Sequence, residues 1–241
     1  MEVHHHSHPS TNSGHRKKWT HYFWEFLMLF LAVFCGFFAE YQLEHKIEKD
    51  RENQFMQSLI SDIKKDAEQG DSLYKQNTFL QQFCDSLMVM LTGKEIKVNS
   101  YPAYKFWNAM MGFYDFIPND GTIQQLKNSG ALRLVRKQQV VSKLMDYNTV
   151  TELLRIHQSS MNSYLLQQFK KTELFDAARF ANENDRTNVP LISNDRKLLS
   201  WAYEYIKVWK SLLGTLNYYI ENAKAKGEVL MGSINKEYHL K

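Results

Sequence analysis

Residues 198–223, LLSWAYEYIKVWKSLLGTLNYYIENA, decide the fold class. Leu198, Ala202, Tyr205, Trp209, Leu212, Leu216, Tyr219 and Ala223 alternate spacings of four and three. That is the period of a helix burying one stripe, close enough to a heptad to pack as a long seam against other helices. A half-buried strand would alternate every second residue instead. Ser193 or Asn194 can cap the start of this helix. Gly227 reads as an interruption before a last amphipathic turn through Leu230, Ile234 and Tyr238.

The same period recurs upstream. From Lys137 to about Lys171, one face carries Val140, Leu144, Tyr147, Leu154, Met161 and Leu165. From Asp71 to Thr92 the stripe is Leu73, Leu80, Cys84, Leu87 and Leu91, with Gly70 before it and Gly93 as its stop. Cys84 falls on that stripe and reads as a small core hydrophobe. Phe55, Leu59 and Ile63 give the preceding segment its own apolar face. Residues 103–116 are dense in aromatics, which reads as a core helix, with a ligand-pocket lining as the other reading. Pro118-Asn119-Asp120-Gly121 is a turn signal in which Asn119 or Asp120 can cap a short helix from Thr122 to Ser129. Gly130 ends it in the left-handed conformation open to glycine. No segment reads as a strand. The expected body, residues 42–241, is an all-α antiparallel helical bundle.

The amino-terminal part has a different character. Fourteen uncharged residues, Phe26 to Ala39, lie between Glu25 and Glu40. At 1.5 Å per residue they make about 21 Å of helix, short of a hydrocarbon core of about 30 Å. Trp19, Tyr22, Phe23 and Trp24 on one side and Tyr41 on the other are rings that settle at headgroup depth. Residues 19–41 are thus long enough to span a bilayer with some tilt. A cleaved signal is the competing reading, but Phe37 at the third-last position before a cut after Ala39 is a poor fit to the small residues that cleavage needs. Arg16, Lys17 and Lys18 precede the span and favour a cytoplasmic amino terminus, although Lys46, Lys49 and Arg51 follow it. Residues 1–18 read as a disordered cytoplasmic tail containing His4, His5, His6 and His8. These histidines read as solvated and not as a closed metal site.

Net charge is +4, and residues up to Tyr41 contribute none of it. The excess reads as spread along the body. No nucleic-acid module appears, and no nucleic-acid partner is expected. Cys35 and Cys84 are not expected to form a disulfide. There is no phosphate-cradling glycine loop, glycine-flanked nucleophilic serine, paired-histidine metalloprotease helix or cysteine pair at metal spacing. His157, beside Glu152 and Arg155, reads as a structural histidine. No catalytic, cofactor-binding or metal-ligating residue is expected, and the chain does not read as an enzyme.

Two blocks carry a resemblance. His15-Arg16-Lys17-Lys18-Trp19, Trp24 to Val33 and Gly36-Phe37-Phe38-Ala39-Glu40 form the first. Thr122-Ile123-Gln124-Gln125-Leu126-Lys127-Asn128-Ser129-Gly130, with Leu132, Leu134-Val135-Arg136, Leu144 and Tyr147-Asn148, forms the second. Together they resemble single-pass membrane proteins of Bacteroidota to which no activity is assigned. The resemblance implies a bacterial inner-membrane protein with a helical periplasmic body, and it transfers no site residue. Physically the second block reads as helix, glycine stop and return helix.

The expected function is that of a membrane-anchored structural or protein-interaction protein. Its partners would be the bilayer, through residues 19–41, and another protein or a second copy. The alternative is a ligand-sensing bundle, with Tyr104 to Phe116, Tyr205 and Trp209 around a pocket, that signals through a separate partner. No small-molecule substrate or cofactor is expected.

Overall fold

The computed structural model describes residues 15–182 and 186–240, with backbone alone for 15–18. Among the described residues every regular element is helical. Seven α-helices follow in order: α1 (His15–Thr92), α2 (Tyr101–Met110), α3 (Gly121–Asn128), α4 (Gln138–Leu165), α5 (Lys171–Leu174), α6 (Ala177–Phe180) and α7 (Arg196–Tyr238). Short 3-10 turns lie at Glu95–Lys97, Ala131–Leu134 and Gln168–Lys170. The all-α class read from the sequence is the class observed. The histidine-rich stretch, His4 to His8, lies outside the described residues.

The chain divides into two compact units, residues 1–52 and 53–241. The first unit holds the amino-terminal part of α1, and its side chains from Trp19 to Tyr41 are almost all exposed.

The second unit is built on three long helices. Its part of α1 buries Met56, Leu59, Ile63, Asp66, Gly70, Leu73, Asn77, Leu80, Cys84, Leu87 and Leu91, an unbroken alternation of three and four. The helix therefore runs straight through Gly70, where the sequence suggested a boundary. Gly70 faces α7 so closely that a Cβ there would meet Ile220 Cγ2 at 3.0 Å. Gly227 behaves the same way in α7, which continues past it to Tyr238. A Cβ on Gly227 would come within 2.7 Å of Ile63 Cγ2 and 3.3 Å of the Tyr147 ring. Both glycines are points of close helix approach, and the lost propensity of about 1 kcal/mol each is offset by packing.

Cross-links fix the direction of α7. Against α1, Lys210 pairs with Asp85, Asn217 with Asn77 and Lys224 with Asp71. Against α4, Tyr205 pairs with Tyr164, Leu212 with His157 and Lys226 with Asp146. In each series the partner number falls as the α7 number rises, so α7 runs opposite to both. It accordingly buries a wider stripe than the sequence suggested: Leu212 and Tyr219 are half-buried, while Ile206, Leu213 and Ile220 are buried. Its cap is Asp195, one residue beyond the two candidates, whose Oδ1 accepts the Lys197 N–H at 3.0 Å.

Other boundaries move for local reasons. Helix α2 stops at Met110, whose carbonyl accepts the Trp209 indole N–H at 2.8 Å. The aromatics Phe113, Tyr114 and Phe116 thus lie on an irregular stretch and not on a helix. Helix α4 stops at Leu165, where the Tyr205 hydroxyl donates to the Tyr164 carbonyl at 3.2 Å. The Tyr164 hydroxyl donates back to the Tyr205 carbonyl at 3.1 Å, so the two tyrosines latch α4 to α7. Gly130 takes φ 68°, the left-handed turn expected of it, between α3 and the Ala131–Leu134 turn.

Apolar residues gather in two clusters. One joins Met56, Leu59 and Ile63 of α1 to Ile123, Leu126, Val135, Val140, Leu144, Leu230 and Ile234. The other, larger, joins Trp107, Met161, Trp209 and Leu213 to Leu73, Leu80, Cys84, Leu87 and Leu91 of α1.

Candidate functional site

Three features could carry function: the exposed apolar helix, the aromatic core, and a polar clasp beside a groove. In the first, Phe26, Phe30, Phe34 and Phe38 stack at ring separations of 6.2, 6.1 and 6.4 Å. The i, i+4 spacing produces this ladder directly, because residues four apart lie above one another on a helix. Among the described residues α1 alone is long and apolar enough to cross a membrane, and none of its apolar window is buried within the protein. A soluble core helix would hide such a window, since burial of apolar surface is the main drive to folding. At its amino-terminal flank, His21 Nε2 lies 3.5 Å from Glu25 Oε1, which gives the flanking carboxylate a partner.

The aromatic residues of α2 meet those of α7. The Trp107 ring stacks on Tyr205 at 5.6 Å and on Trp201 at 6.0 Å, and its edge meets Phe175. Tyr164 stacks on Tyr205 at 4.7 Å, and Phe113 meets Trp209 edge-on. Both Trp107 and Trp209 are fully buried, with their indole N–H groups on Gln168 Oε1 and the Met110 carbonyl. Of the residues proposed for a pocket lining, Trp107, Phe113, Tyr205 and Trp209 thus pack in ring contacts, while Tyr114 is exposed. Burial drives the Tyr205 hydroxyl well above the usual phenol range, with the neighbouring Tyr164 adding to it. Lys170 sits over Trp201 and Lys171 over Tyr104, at 5.8 and 5.2 Å from the ring centres. Desolvation lowers the Lys171 ammonium from its ordinary value.

The clasp surrounds Asp66, a buried carboxylate in the α1 seam. Its Oδ1 accepts the Asn119 backbone N–H at 2.7 Å and the Asn119 side-chain amide at 2.8 Å. Its Oδ2 accepts the Tyr147 hydroxyl at 2.5 Å. Burial first, and this hydrogen bond second, raise the Tyr147 hydroxyl far above the phenol range, so it stays a donor. One turn earlier, Asp62 Oδ2 accepts the Thr122 hydroxyl at 2.6 Å. Gln158 of α4 holds the same stretch from the other side: its amide N donates to the Phe116 carbonyl at 3.1 Å and its O accepts the Phe116 N–H. The irregular residues 112–120 are thereby pinned through their backbone to α4 at Phe116, the one buried residue of the stretch, and to α1 at Asn119. Between this stretch and α4 lies an open groove of about 710 Å³, lined by Phe116, Ile117, Pro118, Gln158 and Leu166. Arg155 stands at its rim, 3.1 Å from Asp120 Oδ2 and 3.7 Å from Glu152 Oε2.

The remaining candidates sit apart. His157 Nε2 lies 2.9 Å from the Leu212 carbonyl and its ring leans on Tyr219, which fixes it as a link between α4 and α7. Cys84 is fully buried, with Sγ 3.8 Å from the Met110 sulfur. Burial, aided by the Asp85 charge, pushes its thiol up to about 12, so it is a packed hydrophobe at neutral pH. Cys35 is exposed, and both cysteines are free. Among the described residues no group of three His, Cys, Asp or Glu could hold a metal ion. Sequence reasoning missed Asp66, Asn77 and Asn217. Asp66 and Asn77 had a signal: each is a polar residue at a three-four seam position of α1, where only a partnered polar group is tolerated.

No family model, no curated protein and no solved structure matches the chain.

Proposed function

We propose that this protein is a membrane-anchored structural or protein-interaction protein. In this reading residues 19–41 cross a bacterial inner membrane once, with the amino terminus cytoplasmic. Residues 42–241 form an antiparallel helical bundle on the periplasmic side that holds another envelope protein or a second copy, without a catalytic step. The observation that carries the proposal is the apolar window of α1, none of it buried, in a chain whose other long helices close their apolar faces into cores. The resemblance of the two sequence blocks to single-pass proteins of Bacteroidota supports the same reading.

Alkaline carbonate extraction of native membranes tests the anchor. The chain is expected to stay in the pellet, whereas Leu31→Arg with Phe34→Arg moves it to the supernatant. Each arginine costs about 2.5–3.5 kcal/mol at the centre of an inserting helix. A topology reporter fused after Lys241 tests the orientation. Crosslinking in native membranes followed by mass spectrometry tests the interaction role, and a strictly monomeric species with no crosslinked partner would sink it.

The groove beside α4 favours ligand sensing as a second reading. A thermal-shift screen in which no metabolite raises the melting temperature counts against that.

A further inference from the structure

The groove beside α4 is acidic in a basic unit. Residues 53–241 carry 24 Lys and Arg against 19 Asp and Glu. Yet among the described residues Arg155 is the one cation lining the groove, and it is shared by Asp120 and Glu152. Asp115, on the other wall, has no such partner. The Gln158 amide turns its N to the Phe116 carbonyl, so the atom that stands 3.4 Å from Asp115 Oδ1 is its oxygen. An amide oxygen donates nothing to a carboxylate, and no cation of the described residues pairs with Asp115.

The shape of the groove follows from the chain trace. Residues 112–120 form a strap antiparallel to α4, with Asp120 at Arg155 and Phe116 at Gln158. An irregular strap is narrower than a helix of about 10 Å diameter, so a furrow stays open between it and α4. The furrow is preformed. Phe116 is buried with its N–H and C=O both on Gln158, and Asn119 is held by Asp66. Along α4 it extends from Arg155 to Leu165, about 15 Å, or about four to five residues of extended chain. Ile117 and Leu166 stand exposed on its lips, and the exposed Ser159 and Asn162 offer a hydroxyl and an amide along the α4 wall.

We propose that this groove holds an extended peptide segment of a partner protein, with a Lys or Arg side chain on Asp115 and apolar side chains two residues to either side, toward Ile117 and Leu166. The inference rests on the reading of the chain as a protein-interaction protein, and it names the chemistry of what is held. Charge complementarity selects the cation: an acidic peptide would meet Asp115 as a like charge, whereas a basic one is steered to it and fixed in register. The open form of the furrow selects a peptide over a metabolite. A small ligand is held where roughly 70–90% of its surface is buried, while an extended chain binds along an open groove through its backbone and alternate side chains. This occupant differs from the metabolite of the sensing reading, and the experiment separates the two.

The test is calorimetric titration of the full-length chain in phosphatidylcholine nanodiscs, with empty nanodiscs as the reference. The probes are three terminally blocked pentapeptides with leucine at both ends, serine at the second and fourth positions, and arginine, citrulline or glutamate at the centre. Alternation along an extended chain puts the ends and the centre on one face. The arginine peptide should bind about fivefold more tightly than the citrulline one, the gain of one partly exposed ion pair, and the glutamate peptide should bind most weakly. D115N should erase the preference for arginine over citrulline, and D115K should reverse the order of the arginine and glutamate peptides. S159W, which fills the furrow from the α4 wall, should abolish binding of all three. Asp115 and Ser159 are exposed, and unchanged circular dichroism shows that the variants fold. Absence of binding, equal affinity for the three peptides, or an arginine preference that survives D115N overturns the proposal. So does hexylammonium binding as tightly as the arginine peptide, which would assign the groove to small cations. Self-association of the chain that D115N abolishes would assign it to a second copy and overturn the proposal too. Crosslinking in native membranes that captures no partner would defeat the interaction reading by itself, and the order of the peptides would still read the groove.

Discussion

Gly227→Ala adds one methyl group at the tightest crossing of α7, and its effect can be worked out from two opposing terms. In a helix interior the change should gain about 1 kcal/mol of propensity. At this position the new Cβ would lie 2.7 Å from Ile63 Cγ2 and 3.3 Å from the Tyr147 ring. Ile63 is β-branched and cannot swing its Cγ2 away without leaving its preferred rotamer. The Tyr147 ring is held by its hydroxyl on Asp66. Overpacking of this kind costs about 1–3 kcal/mol, so the net change runs from about zero to 2 kcal/mol of destabilisation. Gly232→Ala is the matched control, five residues on in the same helix with nothing within 4 Å of its Cβ position. It carries the propensity gain alone. The two variants should therefore differ in melting temperature by roughly 2–12 °C, the Gly232 variant above wild type and the Gly227 variant at or below it. Far-ultraviolet circular dichroism during heating in mild detergent reads this. In Ile63→Ala with Gly227→Ala the penalties should fall short of their sum by about 0.5–3 kcal/mol, because the smaller side chain makes room. If Gly227→Ala stabilises as much as Gly232→Ala, the close approach of α7 to α1 and α4 is refuted.

Three further outcomes follow from buried polar groups. Asp66→Ala strands the Tyr147 hydroxyl and the Asn119 N–H and should cost about 2–4 kcal/mol; chemical denaturation measures the loss, and exchange at Asn119 should accelerate first. Asn77→Leu alone should destabilise by about 1–3 kcal/mol, because Asn217 Oδ1 loses the amide that donates to it at 2.9 Å. The double change Asn77→Leu with Asn217→Leu should recover most of that, and a double variant as unstable as the single one would argue against pairing between these helices. Stability should fall as pH rises above 9, because an unfolded Cys84 thiol releases its proton from about 9 upward while the folded one holds it to about 12. The folded state then binds more protons across that window, and Tyr147 and Tyr205, both raised, add to the loss above 10. Cys84→Ala should flatten the slope of melting temperature between pH 9 and 10; an unaltered slope contradicts the burial of the thiol.

The helical class, the exposed apolar segment and most core positions were legible in the sequence. A three-four period needs no tertiary information, and Leu73, Leu80, Leu87, Val140, Leu144 and Met161 are buried as that period requires. Glycine was where reading along the chain went astray. Gly93 and Gly130 stop helices, but Gly70 and Gly227, identical in composition, sit inside them, and the difference is the neighbour that a Cβ would strike. The aromatic residues after Met110 misled for a similar reason. Their density suited a core helix, yet Trp209, distant in sequence, takes the carbonyl at which α2 ends.

The sequence alone determined the apolar stripe of most helices and that residues 19–41 are long and apolar enough to span a bilayer, because periodicity and hydropathy are local properties of the chain. Only the tertiary structure decided which helices face one another, which glycines permit that contact, and that Asp66 gathers α1, α4 and the stretch before α3 into one clasp. Those outcomes depend on atoms brought together from positions tens of residues apart, and no local pattern encodes their distance.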